Sequence, residues 1–385
     1  MRELLDLLNR ADVLTREGHP AVLATLVKIQ GSAYRHAGAR MLIERDGTWT
    51  GFLSAGCLES DLALRSKEVL ETGKPRIVTY DTSAPEDIVW GLGLGCNGLL
   101  DILLERTDSP SVQRALHYIR SCTNDRRAGV MATLVHTQPD RHGHSGTCAV
   151  LLPDGTIQSE LTDWPARELA AEMDAVAQSG ISSTIALEMP DGPAEVFVEA
   201  LPPPVRVAVY GSGPDVPPLV TITRNLGWHV TVLDRRSEQL LRQGLPEADE
   251  VISVPPEQVP GRLTPAKDTA LLIMTHNFAI DKELLRAWLP TAAPYLGILG
   301  PRRRTEELLD ALRKEGFHPT SQQLGRLHSP VGLDIGSDSP GSIALAIVAE
   351  IEAALHHREG GFLKDRKGPI HELHTTPRAR RKGKP

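Results

Sequence analysis

Aromatic residues are scarce in this chain: Trp, Tyr and Phe together make up 4% of 385 residues. Its cores must therefore be built from aliphatic side chains. Cysteine is equally thin, at four residues. That is too few for a disulfide framework, and a reducing, cytoplasmic compartment is expected. No stretch approaches the ~18–20 consecutive apolar residues of a membrane span. The first residues, Met1-Arg2-Glu3-Leu4-Leu5-Asp6-Leu7-Leu8, interleave charge with leucine, where a signal peptide would show an unbroken apolar region. Positive charge is not in excess either, since 42 Lys and Arg face 49 Asp and Glu for a formal charge of -7. Nucleic acid is thereby excluded as the main partner, because gripping phosphate backbones needs a basic surface.

What the chain does have is turn-forming residues, 33 Gly and 29 Pro, in an otherwise ordinary soluble composition of 41% hydrophobic and 24% charged residues. Its length is too great for one ordinary core and implies two or three domains. Residues 3–17 read as an amphipathic helix with Leu4, Leu7, Leu8, Ala11 and Leu14 on one face. A strand over Ala21–Lys28 leads to a turn-rich loop, then to a hairpin signalled by Asp46-Gly47. Next, Ser54-Ala55-Gly56-Cys57 enters a helix of roughly Leu58–Thr72 with Gly73 as its C′ residue. A strand near Arg76–Tyr80 precedes the glycine-rich run Gly91-Leu92-Gly93-Leu94-Gly95-Cys96-Asn97-Gly98. Residues 107–200 alternate helical and strand-like segments without a motif.

Leu201-Pro202-Pro203-Pro204 is a stiff boundary. Beyond it strands alternate with helices, which implies a parallel sheet with right-handed crossovers. The expected architecture is α/β: an N-terminal α/β domain with a mixed sheet (1–106), a middle α/β segment (107–200), and a Rossmann-type domain (205–358). A disordered basic tail (359–385) follows.

Chemistry concentrates in three places. Val205–Tyr210 runs straight into Gly211-Ser212-Gly213, and Asp234 ends the following strand. Glycines there permit a tight turn and close approach of a phosphate, while an acidic residue at that spacing suits ribose hydroxyls. The third glycine of the dinucleotide pattern is Val216, however, and Pro214, Pro217 and Pro218 remove N–H donors. His276, at the end of a later apolar strand, is either a polar contact or proton carrier or simply a loop residue.

The second place is Cys57, between Gly56 and a helix start, where the helix dipole favours thiolate. Glu59 and Asp61 in the same turn oppose that charge. The third is Cys96, set among Gly93, Gly95 and their neighbours in a loop that can turn several N–H groups inward. Arg35 and Arg40, near Gly31 and Gly38, can receive a phosphate or serve as plain surface charges. Cys122 and Cys148 lack such context. His136, His142, His144 and Cys148 match no standard zinc spacing, and no metal site is expected.

Taken together these segments resemble the XdhC/CoxI family of xanthine dehydrogenase accessory proteins. The matching pieces include Gly31-Ser32-Ala33-Tyr34-Arg35, Gly38-Ala39-Arg40-Met41, Ser54-Ala55-Gly56-Cys57-Leu58-Glu59 and Gly91 to Gly98. Gly211-Ser212-Gly213-Pro214-Asp215, Leu226 to Asp234, Met274-Thr275-His276 and Gly332-Leu333-Asp334-Ile335-Gly336 complete them. The resemblance implies a maturation factor, not a stand-alone enzyme. Such a protein holds molybdenum cofactor (molybdopterin), supports its sulfuration with a cysteine desulfurase, and inserts it into a molybdenum hydroxylase. On that view Cys57 is the reactive residue. Gly31, Arg35, Arg40, Gly56, Gly93, Gly95, Cys96, Gly211, Gly213, Asp234 and His276 join it as cofactor-binding candidates. A homodimer is expected from the two-domain design. The alternative is an NAD(P)-dependent oxidoreductase using Gly211, Gly213, Asp234 and His276, disfavoured by the missing third glycine. A third possibility is a scaffold that binds no small ligand.

Overall fold

In a computed structural model, the structure describes residues 1–31, 33–54, 56, 58–81, 98–136, 145–160, 164–190 and 192–367. The chain divides into two compact units, residues 3–203 and residues 1–2 with 204–366.

The first unit carries β1 (Val22–Gly31), β2 (Arg40–Ile43), β3 (Trp49–Gly51), α2 (Glu59–Thr72), β4 (Arg76–Asp81) and β5 (Gly98–Arg106), preceded by α1 (Arg2–Glu17). The same series then recurs. After α3 (Pro110–Asn124) come β6 (Gly129–His136), β7 (Cys148–Leu151), β8 (Ile157–Ser159), α4 (Ala166–Ser179), β9 (Ser183–Met189) and β10 (Gly192–Leu201). The strand orders are β3-β2-β1-β5-β4 and β8-β7-β6-β10-β9, one topology used twice. The mixed sheet that the sequence suggests is in fact two antiparallel sheets, because hairpins and returning helices make each described neighbour antiparallel.

The repetition extends to individual residues. Thr25 lies opposite Arg40 and Leu103 in the first half, and Thr133 opposite Cys148 and Phe197 in the second. Leu23 faces Glu105, as Met131 faces Glu199. Both β2–β3-type hairpins turn on Asp-Gly-Thr. In each, the Asp carboxylate accepts from the Thr amide at 2.9 Å and the glycine adopts positive φ (88° at Gly47, 83° at Gly155). Both helices after the hairpins have 14 residues and end on a left-handed glycine, Gly73 or Gly180, whose N–H returns to Val69 or Val176.

Two shared cores join the halves. Leu7, Leu8 and Leu14 of α1 pack with Val112, Leu116 and Ile119 of α3 and with Leu23, Leu42, Met131 and Val150 from both sheets. Val27 and Leu103 of one half meet Val135 and Phe197 of the other at corresponding strand positions. Each sheet covers one face with its own helix, α2 or α4, and shares its other face with the other half, which accounts for a single unit over residues 3–203.

The second unit is a six-stranded sheet, β13-β12-β11-β14-β15-β16, parallel throughout. Its strands are β11 (Arg206–Tyr210), β12 (His229–Asp234), β13 (Glu250–Ser253), β14 (Thr269–Ile273), β15 (Tyr295–Ile298) and β16 (Leu327–His328). Counted within the unit this is the 3-2-1-4-5-6 order of a dinucleotide-binding sheet. Its helices are α5 (Val216–Asn225), α6 (Glu238–Gly244), α7 (Val259–Arg262), α8 (Phe278–Trp288), α9 (Arg302–Lys314), α10 (Ser321–Leu324) and α11 (Pro340–Leu355), of which α5 and α11 contribute to the core on one face and α8 and α9 to that on the other. The strands are continuous aliphatic runs, Thr269–Ile273 buried at every position, as a sheet covered on both faces requires.

Candidate functional site

In the first unit, antiparallel pairing brings five strand ends to one edge of the β1–β5 sheet. Gly31 at the end of β1 lies opposite Gly98 at the start of β5, and Asp81 at the end of β4 opposite Leu99. Gly51 at the end of β3 lies opposite Met41, beside Arg40 at the start of β2. The segments 32–39, 52–58 and 82–97 all leave from this edge. They carry Arg35, Cys57 and Cys96. Cys57, Gly93, Gly95 and Cys96 themselves lie outside the described residues.

The backbone leading to Cys57 is held by a buried carboxylate. Glu59, fully buried at the first turn of α2, accepts from the amides of Leu53 (3.0 Å) and Ser54 (2.8 Å) and from the Ser54 hydroxyl (2.6 Å). Ser54 Oγ in turn accepts from the amides of Gly56 (3.2 Å) and Leu58 (3.1 Å). Burial pushes this carboxyl up, but the donors from Ser54 and Leu53 outweigh it and hold it below its ordinary value. Glu59 is therefore a loop-holding anion and not merely a dipole partner, a role that five residues of sequence spacing do not announce. Gly56 has φ of 104° and open space where a side chain would project.

The two arginines of the first loop have separate fates. Arg35 reaches Glu3 at 2.9 Å and stays about one-third exposed. Arg40 is buried, with Nη1 on Glu199 Oε1 (2.8 Å) and Nη2 on Oε2 (2.5 Å), and Nη1 also donates to the Gly38 carbonyl. Burial alone would ease its proton off, but the Glu199 carboxylate raises it, so Arg40 is a charged cross-link between the halves. A methyl group on Gly38 would lie 2.5 Å from Glu199 Oε1, which explains that glycine.

The second half lacks these features at matching places. Trp164 stands before the helix start where Cys57 stands, and Ala166 where Glu59 stands. Cys148 takes the place of Arg40, and β9 joins β10 through residues 190–191 alone, where 82–97 join β4 to β5. Cys148 and Cys122 are free, buried thiols within the apolar core. Burial pushes the Cys148 thiol up to about 12, so it is inert. His142 and His144 lie outside the described residues.

In the second unit, Gly211, Gly213, Asp234 and His276 come together around a cavity of about 290 Å³ at the carboxyl ends of β11, β12 and β14. Gly211 has φ of 127°, and a side chain there would collide with the Met274 carbonyl. The Asp234 carboxylate accepts from Ser212 Oγ (2.5 Å) and from the Arg236 amide (3.0 Å), and the Arg236 guanidinium lies on both Ser212 and Asp234. Burial works against the Asp234 charge, but the Ser212 and Arg236 donors keep its carboxyl below the usual range. His276 has positive φ (56°), is 60% exposed, and places Nε2 3.9 Å from Asp215. Asn277 caps α8 beside it. Among the described residues, no three His, Cys, Asp or Glu side chains gather as metal ligands.

An N-terminal unit of two like antiparallel halves, followed by a Rossmann-type unit with a crevice at its strand ends, defines an α/β protein of two parts. Comparison specifies the family. Residues 207–351 match the XdhC Rossmann domain, and residues 14–81 match the XdhC and CoxI family. A Bacillus subtilis (strain 168) relative, described as a probable xanthine dehydrogenase subunit, is 31% identical over 88% of this chain and 94% of its own. The molybdenum cofactor insertion chaperone PaoD of Escherichia coli (strain K12) is 23% identical over 89% of this chain and 86% of its own. A crystal structure of a xanthine dehydrogenase from Bacillus halodurans superposes with a TM-score of 0.74 at 32% identity, covering 91% of this chain and 96% of that one. The chain belongs to the XdhC/CoxI family.

Proposed function

We propose that the protein holds molybdenum cofactor in the N-terminal unit and delivers it to a xanthine dehydrogenase-type molybdenum hydroxylase in the cytoplasm. We extend the proposal to sulfuration, with a cysteine desulfurase as the sulfur source and Cys57 as the thiol that meets the cargo. The observation that carries this reading is the gathering of the three loop-bearing strand ends on one sheet edge of one half. Support comes from the relatives, of which one is named for cofactor insertion and another for xanthine dehydrogenase. No helix among the described residues is long and apolar enough to cross a membrane.

The residues present suit that cargo. The cofactor brings a phosphate, a polar pterin and soft sulfurs. The partly exposed Arg35 offers a cation for the phosphate. Open backbone at Gly56, with no atom of the described residues near its missing side chain, admits close approach. Thiols in the 52–58 and 82–97 loops match the soft sulfur end. Arg40, committed to Glu199, supports the loop and does not meet ligand. The test is transfer: purified protein loaded with cofactor should activate an apo-hydroxylase, and Cys57→Ala should lose that activation while folding normally. Unchanged activation by Cys57→Ala would remove Cys57 from the mechanism.

A further inference from the structure

We propose that Glu3 is a built-in stand-in for a phosphate: its carboxylate fills an anion subsite made by Arg35 and the Phe52 amide, and a phosphate monoester binds there by displacing it. The inference rests on the cofactor-holding reading only for the identity of the cargo that brings the phosphate, and it adds a gate to that site. Glu3 reaches out from the first turn of α1. One of its oxygens, Oε2, lies 2.9 Å from Arg35 Nη2, and the other, Oε1, accepts from the Phe52 amide at 2.8 Å. Arg35 stands in the 32–39 loop and Phe52 at the entry to the 52–58 loop, so one carboxylate ties two of the three loops that leave the sheet edge. A guanidinium and a backbone N–H converging on paired oxygens are also the donors that a phosphate takes.

Exposure separates this tie from the one beside it. The amides of Phe52, Leu53 and Ser54, consecutive in the chain, all donate to carboxylates. Leu53 and Ser54 use Glu59, which is fully buried and cannot leave without stranding buried donors. Phe52 uses Glu3, whose side chain is 31% exposed, as its partner Arg35 is 34% exposed. An ion pair so open to water holds weakly, and a dianion offered to the same donors competes with it. Arg40, the other arginine of the first loop, is committed to Glu199 and to the Gly38 carbonyl, so Arg35 can change partner while the loop keeps its root. Displaced, Glu3 remains in the first turn of α1, where the helix dipole still favours an acid.

Calorimetric titration of the full chain with inorganic phosphate, at constant ionic strength, tests the gate. Glu3→Gln keeps an oxygen for the Phe52 amide but removes the competing charge. It should strengthen phosphate binding by roughly fivefold or more, the scale of one unit charge a few ångströms from a dianion in water. Glu17→Gln removes the same charge from the far end of α1 and should leave the affinity within about twofold, because salt screens a charge so distant. Adding Arg35→Met to Glu3→Gln should abolish the gain. Phosphate binding no tighter in Glu3→Gln than in the native protein, an equal gain in Glu17→Gln, or a gain that survives Arg35→Met would each overturn the proposal. Pterin content of the same preparations keeps the two readings apart. Normal content with a phosphate affinity indifferent to Glu3 strikes the gate alone, and phosphate binding gated by Glu3 without pterin strikes the holding role alone.

Discussion

Arg40 of the first half and Glu199 of the second form a buried, two-pronged ion pair, while their counterparts, Cys148 and Glu105, leave a buried carboxyl with no cation at the matching place. One duplicated scaffold thus carries a charged lock on one side and, on the other, a carboxyl that burial pushes up to about 8. Glu105 packs against Gly146 as Glu199 packs against Gly38.

Breaking the lock from one side should be costly. Glu199→Gln strands a buried guanidinium and should destabilise the protein by roughly 3–5 kcal/mol. Replacing both partners, Arg40→Met with Glu199→Leu, should recover most of that loss. Urea unfolding of the three proteins measures this. Equal destabilisation by the single and double variants would show that the pair is not the source.

The other side predicts a pH dependence. Burial pushes the Glu105 carboxyl from 4.5 up to about 8, with Arg40 only partly offsetting it. The folded protein therefore keeps this proton through a range in which the unfolded chain releases it. Stability should fall as pH rises from about 4.5 to about 8, by up to about 1.4 kcal/mol per pH unit. Glu105→Gln should flatten that slope. A slope unchanged in the variant would assign it to other groups.

Glu59 organises the Cys57 loop through acceptors, which separates two substitutions. Glu59→Gln keeps Oε1 for the Leu53 and Ser54 amides but loses the acceptor of the Ser54 hydroxyl, whose own lone pairs are taken by the Gly56 and Leu58 amides. Glu59→Ala leaves those buried donors unmatched, at about 1–3 kcal/mol each. Thermal unfolding should therefore place Gln below the native protein and Ala lower still, with pterin retention following the same order. Equal loss in both variants would mean that the negative charge matters and not the acceptors.

In the crevice, Gly211→Ala should destabilise the second unit by more than about 2 kcal/mol, because it adds backbone strain to a collision with the Met274 carbonyl. Gly213→Ala, where nothing lies within 4 Å, should be tolerated. Thermal denaturation of both decides it, and equal effects would contradict the distinction.

Much of the second unit was legible in advance, because its strands are unbroken aliphatic runs and its tight turn needs a glycine at Gly211. The strand Arg206–Tyr210 and the terminal Asp234 follow from local chemistry. The first unit was legible only piecewise. Its duplication left a faint trace, Asp46-Gly47-Thr48 and Asp154-Gly155-Thr156, while the surrounding residues diverged. Long-range partners were hidden for a physical reason: Arg40 and Glu199 are far apart along the chain, and nothing local tells a buried arginine from an exposed one. Ser54 and Glu59 are close in sequence, but their hydrogen bonds depend on a non-helical turn that spacing does not specify.

The most direct measurement is mass analysis of small molecules extracted from freshly purified protein, with oxidation of any pterin to its fluorescent products. Molybdopterin or its molybdenum complex, in an amount that approaches one per chain and falls in Cys57→Ala, is the predicted result. Protein that supports hydroxylase activation yet yields no pterin under gentle isolation would contradict the cofactor-holding role.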